Sequence, residues 1–251
     1  MIGLLINMKL DEDFFDKYEY QIVEFEGEKY EFPVKYYDLQ RIAAFFPASA
    51  RKLKKYLPSK KLKLYQPFPG ISLILIIAFK YRKLSNIEPY NEVGIGFPVV
   101  LKTNKQKYTG SYVIHLPVST EDSCKGGIEF WGYPKFVADI TFEETDKALT
   151  CFLRHENQDI LEFRVNKLET EALSEDSNSF TVKENKLLRS IIRTQGFSGK
   201  SREKGGATLT LGEHPISKEI EPLFRKTKSV LHAYEPKIQL ILPLAEEEYD
   251  L

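Results

Sequence analysis

One lysine, Lys135, stands in a setting that suits covalent chemistry. It follows Pro134 in segment 126–140, which reads GGIEFWGYPKFVADI and holds the only tryptophan, Trp131. Proline fixes its own φ and pushes Tyr133 into extended geometry, so the backbone before the lysine is restrained. Desolvation by aromatic neighbours favours the neutral amine that attacks a ketone and forms a Schiff base. We therefore predict a reactive amine; the alternative is a surface lysine after a Tyr-Pro turn.

Two glutamates are the candidate proton carriers for such an amine. Glu92 lies in YNEVGIGFPV, a stretch otherwise rich in glycine and apolar residues. A carboxylate buried there needs a partner, whereas on an edge strand it would point to water. Glu129 precedes Lys135 by six residues, and its alternative role is a structural ion pair. Gly94 and Gly96 form a lone GxG that is not followed by a helix, so a phosphate loop is not expected.

The remaining reactive residue types give no metal, cofactor or nucleophile pattern. The four histidines are scattered, without a metal-ligand spacing. Cys124 and Cys151 match neither a zinc nor a disulfide pattern, and we predict free thiols in a reducing compartment. The opening residues MIGLLINMKL lack a basic region, so a signal peptide is not expected. The sequence thus favours a cytoplasmic protein that binds no metal.

Composition excludes two classes of partner. The 251 residues include 36 Lys+Arg and 36 Asp+Glu, so no net charge favours nucleic acid or an anionic membrane. The most apolar run, 71–79, is far too short to cross a bilayer and reads as a buried strand. We expect one soluble domain over residues 1–251.

Local patterns predict a fold of the α+β class that is mostly β. Runs such as 62–68, 71–81, 92–101 and 107–116 read as strands, and the turns between them hold Pro, Gly, Asn or Lys residues. The series continues towards the C-terminus. The sequence contains no alternation of strands and helices for a parallel sheet. A barrel or sandwich with helices outside is therefore expected.

Helices and loops are predicted at a few places. Asp38 is a good N-cap, and Leu39, Ile42, Ala43 and Phe46 follow at helical spacing. Two further helices are predicted over 50–57 and 215–224. The polar, acidic segment 169–179 and the segment 198–206 are expected to be surface loops.

The chain resembles the acetoacetate decarboxylase family over roughly residues 20–250, and the likeness is weaker between 145 and 195. The segments that carry it are EFWGYPK, YNEVGIGFPV, ATLTLGEHP and ILPLAEEEYDL. Lys135 falls on the family's Schiff-base lysine and Glu92 on its active-site glutamate. The resemblance implies a cone-like, mostly antiparallel β-barrel with flanking helices that assembles as a homo-oligomer. It also implies cofactor-free Schiff-base chemistry on a small-molecule keto acid.

Two positions depart from the family pattern. Phe136 stands where the decarboxylase has a second lysine, and Tyr36, beside Lys35, stands where it has an arginine. The expected substrate contacts are Glu129, Tyr36, Trp131 and Phe136. Three functions stay open: decarboxylation through a Lys135 iminium, aldol condensation or dehydration of a 2-oxo acid through the same lysine, and a barrel that binds a small molecule without turnover.

Overall fold

The computed structural model describes residues 10–251. The first residues of the opening segment, on which the signal-peptide expectation rests, lie outside this range. The strands are β1 (Gln21–Phe25), β2 (Glu28–Phe32), β3 (Val34–Ser49), β4 (Leu62–Leu64), β5 (Ile71–Leu84), β6 (Asn91–Lys102), β7 (Lys107–His115), β8 (Asp139–Glu144), β9 (Ala148–His155), β10 (Gln158–Asn166), β11 (Glu171–Lys183), β12 (Lys186–Ser201), β13 (Ala207–Leu211), β14 (Leu231–Leu242) and β15 (Glu247–Asp250). The helices are α1 (Ala50–Leu53), α2 (Glu121–Trp131) and α3 (Pro215–Ile220).

Seven strands form a closed barrel, in the order β11-β7-β6-β5-β3-β14-β12. Pairing of β12 with β11 closes it, so no strand of the ring is left with a free edge. Each neighbouring pair in the ring is antiparallel except β11 and β7, which run parallel. The predicted fold class, a mostly β chain built on an antiparallel barrel with flanking helices, is confirmed.

A second sheet, in the order β13-β10-β9-β8, covers the outside of the barrel. Alternate residues of β3, namely Ile42, Ala44 and Phe46, are fully buried between the two sheets. Phe163 on β10 packs there against Phe46, with ring centroids 6.5 Å apart. The main hydrophobic core therefore lies outside the barrel wall, which leaves the interior of the barrel for a cavity.

The predicted helix over 38–46 is wrong, because this segment belongs to strand β3. The side chains of Ala43 and Phe45 face the barrel cavity, and those of Ile42, Ala44 and Phe46 face the outer core. A strand with apolar contacts on both faces carries few polar residues, so its sequence also satisfies the spacing of an amphipathic helix.

Other expectations were met unevenly. Helices begin at Ala50 and Pro215 as predicted, and each continues as a short 3-10 turn, Lys54–Tyr56 and Glu221–Leu223. The predicted loop 169–179 is largely strand β11, and β12 extends through Ser201 into the second predicted loop. Helix α2 was not predicted. Within residues 10–251, no helix is both long and apolar enough to cross a membrane.

Candidate active site

The end of helix α2 sets the position of Lys135. Gly132 terminates the helix with φ 62°, in the left-handed region that glycine adopts at low cost. The amide of Tyr133 then donates to the carbonyl of Gly127 at 3.1 Å and turns the chain back. The extended segment that follows runs beside residues 116–118. There Leu116 donates its amide to the carbonyl of Pro134 at 3.0 Å.

Residues 116–119 connect this segment to strand β6. On their other side, Val93 donates its amide to the carbonyl of Pro117 at 3.0 Å. Glu92 and Lys135 thus approach each other although 43 positions separate them in the chain. Lys135 Nζ donates to Glu92 Oε2 at 2.8 Å, and the two side chains are only 6% and 8% exposed. Glu92 is buried and paired, so the alternative of an exposed edge position does not hold.

Tyrosine side chains surround the pair. Tyr81 Oη donates to Glu92 Oε1 at 3.1 Å. The hydroxyls of Tyr36 and Tyr90 lie 3.4 Å apart, and both rings pack against that of Tyr81. Lys135 Nζ lies 5.5 Å from the ring centroid of Tyr90, close enough for a cation–π contact. The ammonium thus meets one carboxylate and a set of aromatic faces.

The phenols near the pair remain protonated well above neutral pH. Burial raises the pKa of Tyr36 and of Tyr81, and the negative charge of Glu92 raises both further. Burial likewise raises the pKa of Tyr90, helped by Tyr36 and Glu92. A protonated phenol can donate a hydrogen bond to a carboxylate or to a carbonyl oxygen.

A glycine of α2 makes room for the lysine side chain. A Cβ at Gly127 would lie 2.4 Å from both Cδ and Cε of Lys135. Cys124, one helical turn earlier, is also buried. Burial raises the pKa of its thiol, and the charge of Lys135 opposes that shift. Helix α2 therefore presents small side chains to the amine.

Lys135 and Glu92 both line a cavity of about 920 Å³ inside the barrel. Near the pair, its wall is formed mainly by tyrosine, tryptophan and aliphatic side chains, including those of Tyr36, Trp131 and Leu116. The indole Nε1 of Trp131 donates to the carbonyl of Pro243 at 2.7 Å, so its polar atom is already satisfied. Two of the expected substrate contacts, Tyr36 and Trp131, thus line the same cavity as the amine.

The other two expected substrate contacts lie elsewhere. Glu129 Oε1 accepts from Lys183 Nζ at 2.8 Å, which matches the alternative of a structural ion pair. Phe136 points away from Lys135, because adjacent side chains of an extended segment face opposite sides. Its ring lies 5.1 Å from that of His155, against the outer core. Neither residue is among the described residues that line the cavity, and the expectation for both is corrected.

Some cavity residues were missed by the sequence analysis. The sequence analysis did not single out Tyr81 or Tyr90. Tyr90 nevertheless lies in the motif YNEVGIGFPV, two positions before Glu92. Arg41 was assigned to a helix, and in the structure it lines the cavity and pairs with Glu235. Ser198 Oγ donates to the other oxygen of that carboxylate, Glu235 Oε1, at 2.9 Å. These contacts join strands that are far apart in the sequence, so only the pairing of strands in the barrel brings the residues together.

A family model described as acetoacetate decarboxylase (ADC) matches residues 23–223, which is most of the chain. The chain belongs to the acetoacetate decarboxylase family. A comparison with curated protein sequences found no match. Membership therefore rests on the family model and on the fold.

Several solved structures share the fold at low sequence identity. Acetoacetate decarboxylase from Legionella pneumophila is 16% identical, covers 86% of this chain and 88% of its own, and has a TM-score of 0.64. An acetoacetate decarboxylase-like enzyme from Sphingomonas wittichii RW1 is 10% identical, with coverage of 87% and 93% and a TM-score of 0.57. The enduracididine biosynthesis enzyme MppR, complexed with the condensation product of pyruvate and imidazole 4-carboxaldehyde, is 10% identical, with coverage of 86% and 88% and a TM-score of 0.56.

Proposed function

We propose that this chain is a cofactor-independent lyase that decarboxylates a keto acid through a Schiff base on Lys135. The observation that carries the proposal is the buried contact of 2.8 Å between Lys135 Nζ and Glu92 Oε2 inside the barrel cavity. A primary amine and a proton acceptor in direct contact, facing a cavity, are what imine formation requires.

Glu92 activates the amine. In water the ion pair of a lysine and a glutamate is favoured, but burial among aromatic rings makes separated charges costly. Transfer of one proton from Nζ to Oε2 along the hydrogen bond gives a neutral amine and a neutral carboxylic acid. The hydroxyl of Tyr81, 3.1 Å from Oε1, holds the carboxyl group in place during this transfer.

The bond changes then follow in order. Nζ attacks the ketone carbon and forms a carbinolamine. Glu92 returns its proton to the hydroxyl of the carbinolamine, which leaves as water and gives the iminium. The electrons of the bond to the carboxylate move into the iminium, which releases carbon dioxide and leaves an enamine. Protonation of the enamine carbon and hydrolysis of the iminium release the ketone and restore Lys135.

The setting of the amine differs from that implied by the family pattern. Phe136 occupies the position of the second lysine, and its ring packs against the outer core, away from the amine. Burial, the Glu92 carboxylate and the rings of Tyr90 and Tyr133 form the surroundings of Nζ instead. The proposed activation therefore depends on Glu92 as proton acceptor and needs no adjacent ammonium.

A second candidate function is the condensation of a 2-oxo acid with an aldehyde through the same lysine. Two observations favour it: a cavity of about 920 Å³ has room for two reactants, and MppR holds a condensation product of pyruvate in the same fold. The enamine formed from the 2-oxo acid would attack the aldehyde carbon instead of taking up a proton. Carbon dioxide would not be released.

Turnover by the purified chain tests the proposal and separates the alternatives. We expect carbon dioxide from 3-oxo acids, and a loss of at least a hundredfold in kcat for Lys135→Gln. Lys183→Gln is the matched control, because Lys183 pairs with Glu129 and lies outside the pair. Consumption of pyruvate with an aldehyde, without carbon dioxide, would instead identify the condensation enzyme. Turnover in neither assay would point to a barrel that binds its ligand without chemistry.

A further inference from the structure

The interior of the barrel is organised in layers that the strand register defines. Across β6, β5, β3 and β14, the paired residues at the level of the active site are Glu92, Phe79, Arg41 and Glu235. All of them line the cavity. This first layer is polar as well as aromatic, and its charges are satisfied: Glu92 pairs with Lys135, and Glu235 pairs with Arg41.

The second layer lies two residues away from the first on each strand, and its side chains are apolar and mostly small. It consists of Gly94, Ile77, Ala43 and Ala233, which are partners in the same register and line the same cavity. Glycine and alanine at three of these positions keep the barrel open at this level. The proposed chemistry at Lys135 makes no use of this layer.

A third layer continues the apolar wall. It consists of Gly96, Leu75, Phe45 and Leu231. Strands advance about 3.3 Å per residue, so the four residues from Glu92 to Gly96 correspond to about 13 Å of depth. The cavity thus reaches well beyond the space that a keto acid as small as acetoacetate would occupy next to Lys135.

The volume of the cavity also fits a substrate larger than acetoacetate. Its volume of about 920 Å³ is near the upper end of the roughly 300–1,000 Å³ typical of pockets for drug-sized ligands. Glu175 and Lys200, which also line the cavity, pair with each other at 3.2 Å. The second and third layers present apolar surface along β3, β5 and β14, and covering it with an alkyl chain is favourable.

We propose that the carbonyl substrate of Lys135 carries a long unbranched apolar chain that extends through the second and third layers. The substrate class is a medium-chain keto acid, which decarboxylation converts into the corresponding alkyl ketone, and not a keto acid as short as acetoacetate. The inference rests on the proposed function in one respect: Lys135 must form an iminium with the carbonyl group. The chain then lies along the inner faces of β3, β5 and β14.

Competitive reductive trapping tests this inference. The purified chain is incubated with an equimolar mixture of 2-butanone and 2-nonanone, reduced with borohydride, and the two adducts on the Lys135 peptide are compared by mass spectrometry. Burial of each added methylene favours the longer ketone by up to about fourfold. We expect the 2-nonanone adduct to exceed the 2-butanone adduct at least a hundredfold.

Ala43→Phe supplies the structural half of the test, because it fills the second layer. The ratio of long-chain to short-chain adduct should fall at least tenfold, and a ratio measured within one variant does not depend on how much protein is active. Ala233→Leu, in the same layer, gives a second measurement if Ala43→Phe does not fold. Ala172→Phe is the matched control, since Ala172 is not among the described residues lining the cavity; its ratio should match the parent's.

The outcomes separate failure of this inference from failure of the proposed function. Adducts of similar abundance from the two ketones, or a ratio unchanged by both second-layer variants, would overturn the long-chain substrate and leave the Schiff-base amine standing. Absence of any Lys135 adduct with either ketone would overturn the proposed function and the inference with it.

Discussion

Lys135 and Glu92 depend on each other in this barrel. Each is almost wholly buried, and their contact of 2.8 Å is the ion pair that satisfies both charges. Removing one member of a buried pair leaves an uncompensated charge, which typically costs about 3–5 kcal/mol. Substitutions of either residue therefore change stability as well as chemistry, and variants of their neighbours are more informative about the mechanism.

Tyr81→Phe removes the phenol that donates to the Glu92 carboxylate at 3.1 Å. A hydrogen bond to a charged group contributes about 1.5–3 kcal/mol, so we expect kcat/KM to fall at least tenfold. The measurement is steady-state turnover of the best substrate found in the panel.

Tyr90→Phe is the comparison for that variant. Its hydroxyl lies 3.4 Å from that of Tyr36, and its ring, which faces Lys135 Nζ, would be kept. We expect the smaller loss of the two. A loss for Tyr90→Phe that equals or exceeds the loss for Tyr81→Phe would contradict the role given to Tyr81.

At the scale of elements, α2 provides a pair of neighbouring glycines with different surroundings. A Cβ at Gly127 would lie 2.4 Å from Cδ and Cε of Lys135, whereas a Cβ at Gly126 would meet its nearest atom, Cδ2 of Phe130, at 3.9 Å. We predict that Gly127→Ala displaces the flexible lysine side chain and lowers kcat at least tenfold. The free energy of unfolding should change by no more than about 1 kcal/mol, because alanine also favours the helix.

Gly126→Ala makes the same change one residue earlier without reaching the lysine. It should keep its turnover and gain up to about 1 kcal/mol of stability from helix propensity. Chemical denaturation and turnover of both variants are the measurements. Equal activity in the two variants would show that the position of Lys135 does not depend on the space at Gly127.

Strand β3 shows where local sequence patterns fail to predict the secondary structure. Its residues Ile42, Ala44 and Phe46 enter the outer core while Ala43 and Phe45 face the cavity, so apolar residues occur on both faces. The spacing of apolar residues could not distinguish this strand from a helix. Because Arg41 falls within the predicted helix, it was not recognised as a cavity residue. Strand β6 was recognised because glycine and β-branched residues interrupt any helical pattern there.

Polar strands and a glycine-containing helix were missed for related reasons. Strand β11 faces a partly polar cavity with Glu175 and Ser177, so its composition is typical of a loop. Helix α2 contains Gly126 and Gly127, which normally argue against a helix. The motifs around Lys135 and Glu92 predicted the site; their convergence and the surrounding tyrosines followed only from the barrel register.

For the whole molecule, a buried histidine links stability to pH. His232 is 1% exposed, and neither ring nitrogen has a hydrogen-bond partner within the part of the chain that the structure describes. Burial lowers its pKa, partly offset by the charge of Glu203. A lowered pKa means that the unfolded chain binds the proton more readily, so stability is present above the unfolded value of about 6.5 and is lost as pH falls through it.

We therefore expect the melting temperature to fall between pH 7.5 and pH 5.5, by about 2–4 °C for each kcal/mol lost. His232→Leu should show a smaller fall over the same range. Differential scanning calorimetry of both proteins is the measurement. An equal fall in melting temperature in both would show that His232 does not cause the pH dependence of stability.

The assembly of the chain stays a prediction. The resemblance implies a homo-oligomer, and one large apolar side chain is exposed on each of β1 and α2, Ile22 at 60% and Ile128 at 46%. Light scattering should give a multiple of the 29.1 kDa chain mass. A monomer at micromolar concentration would contradict the expectation.

The most direct test of the central claim is reductive trapping of the amine. The purified chain is incubated with acetoacetate, pyruvate and longer oxo acids in separate reactions, reduced with borohydride and analysed by peptide mass spectrometry. The account predicts an adduct on Lys135 with at least one carbonyl compound, and none at this peptide in Lys135→Gln. An unmodified Lys135 across the whole panel, or an adduct found equally on exposed lysines, would contradict it.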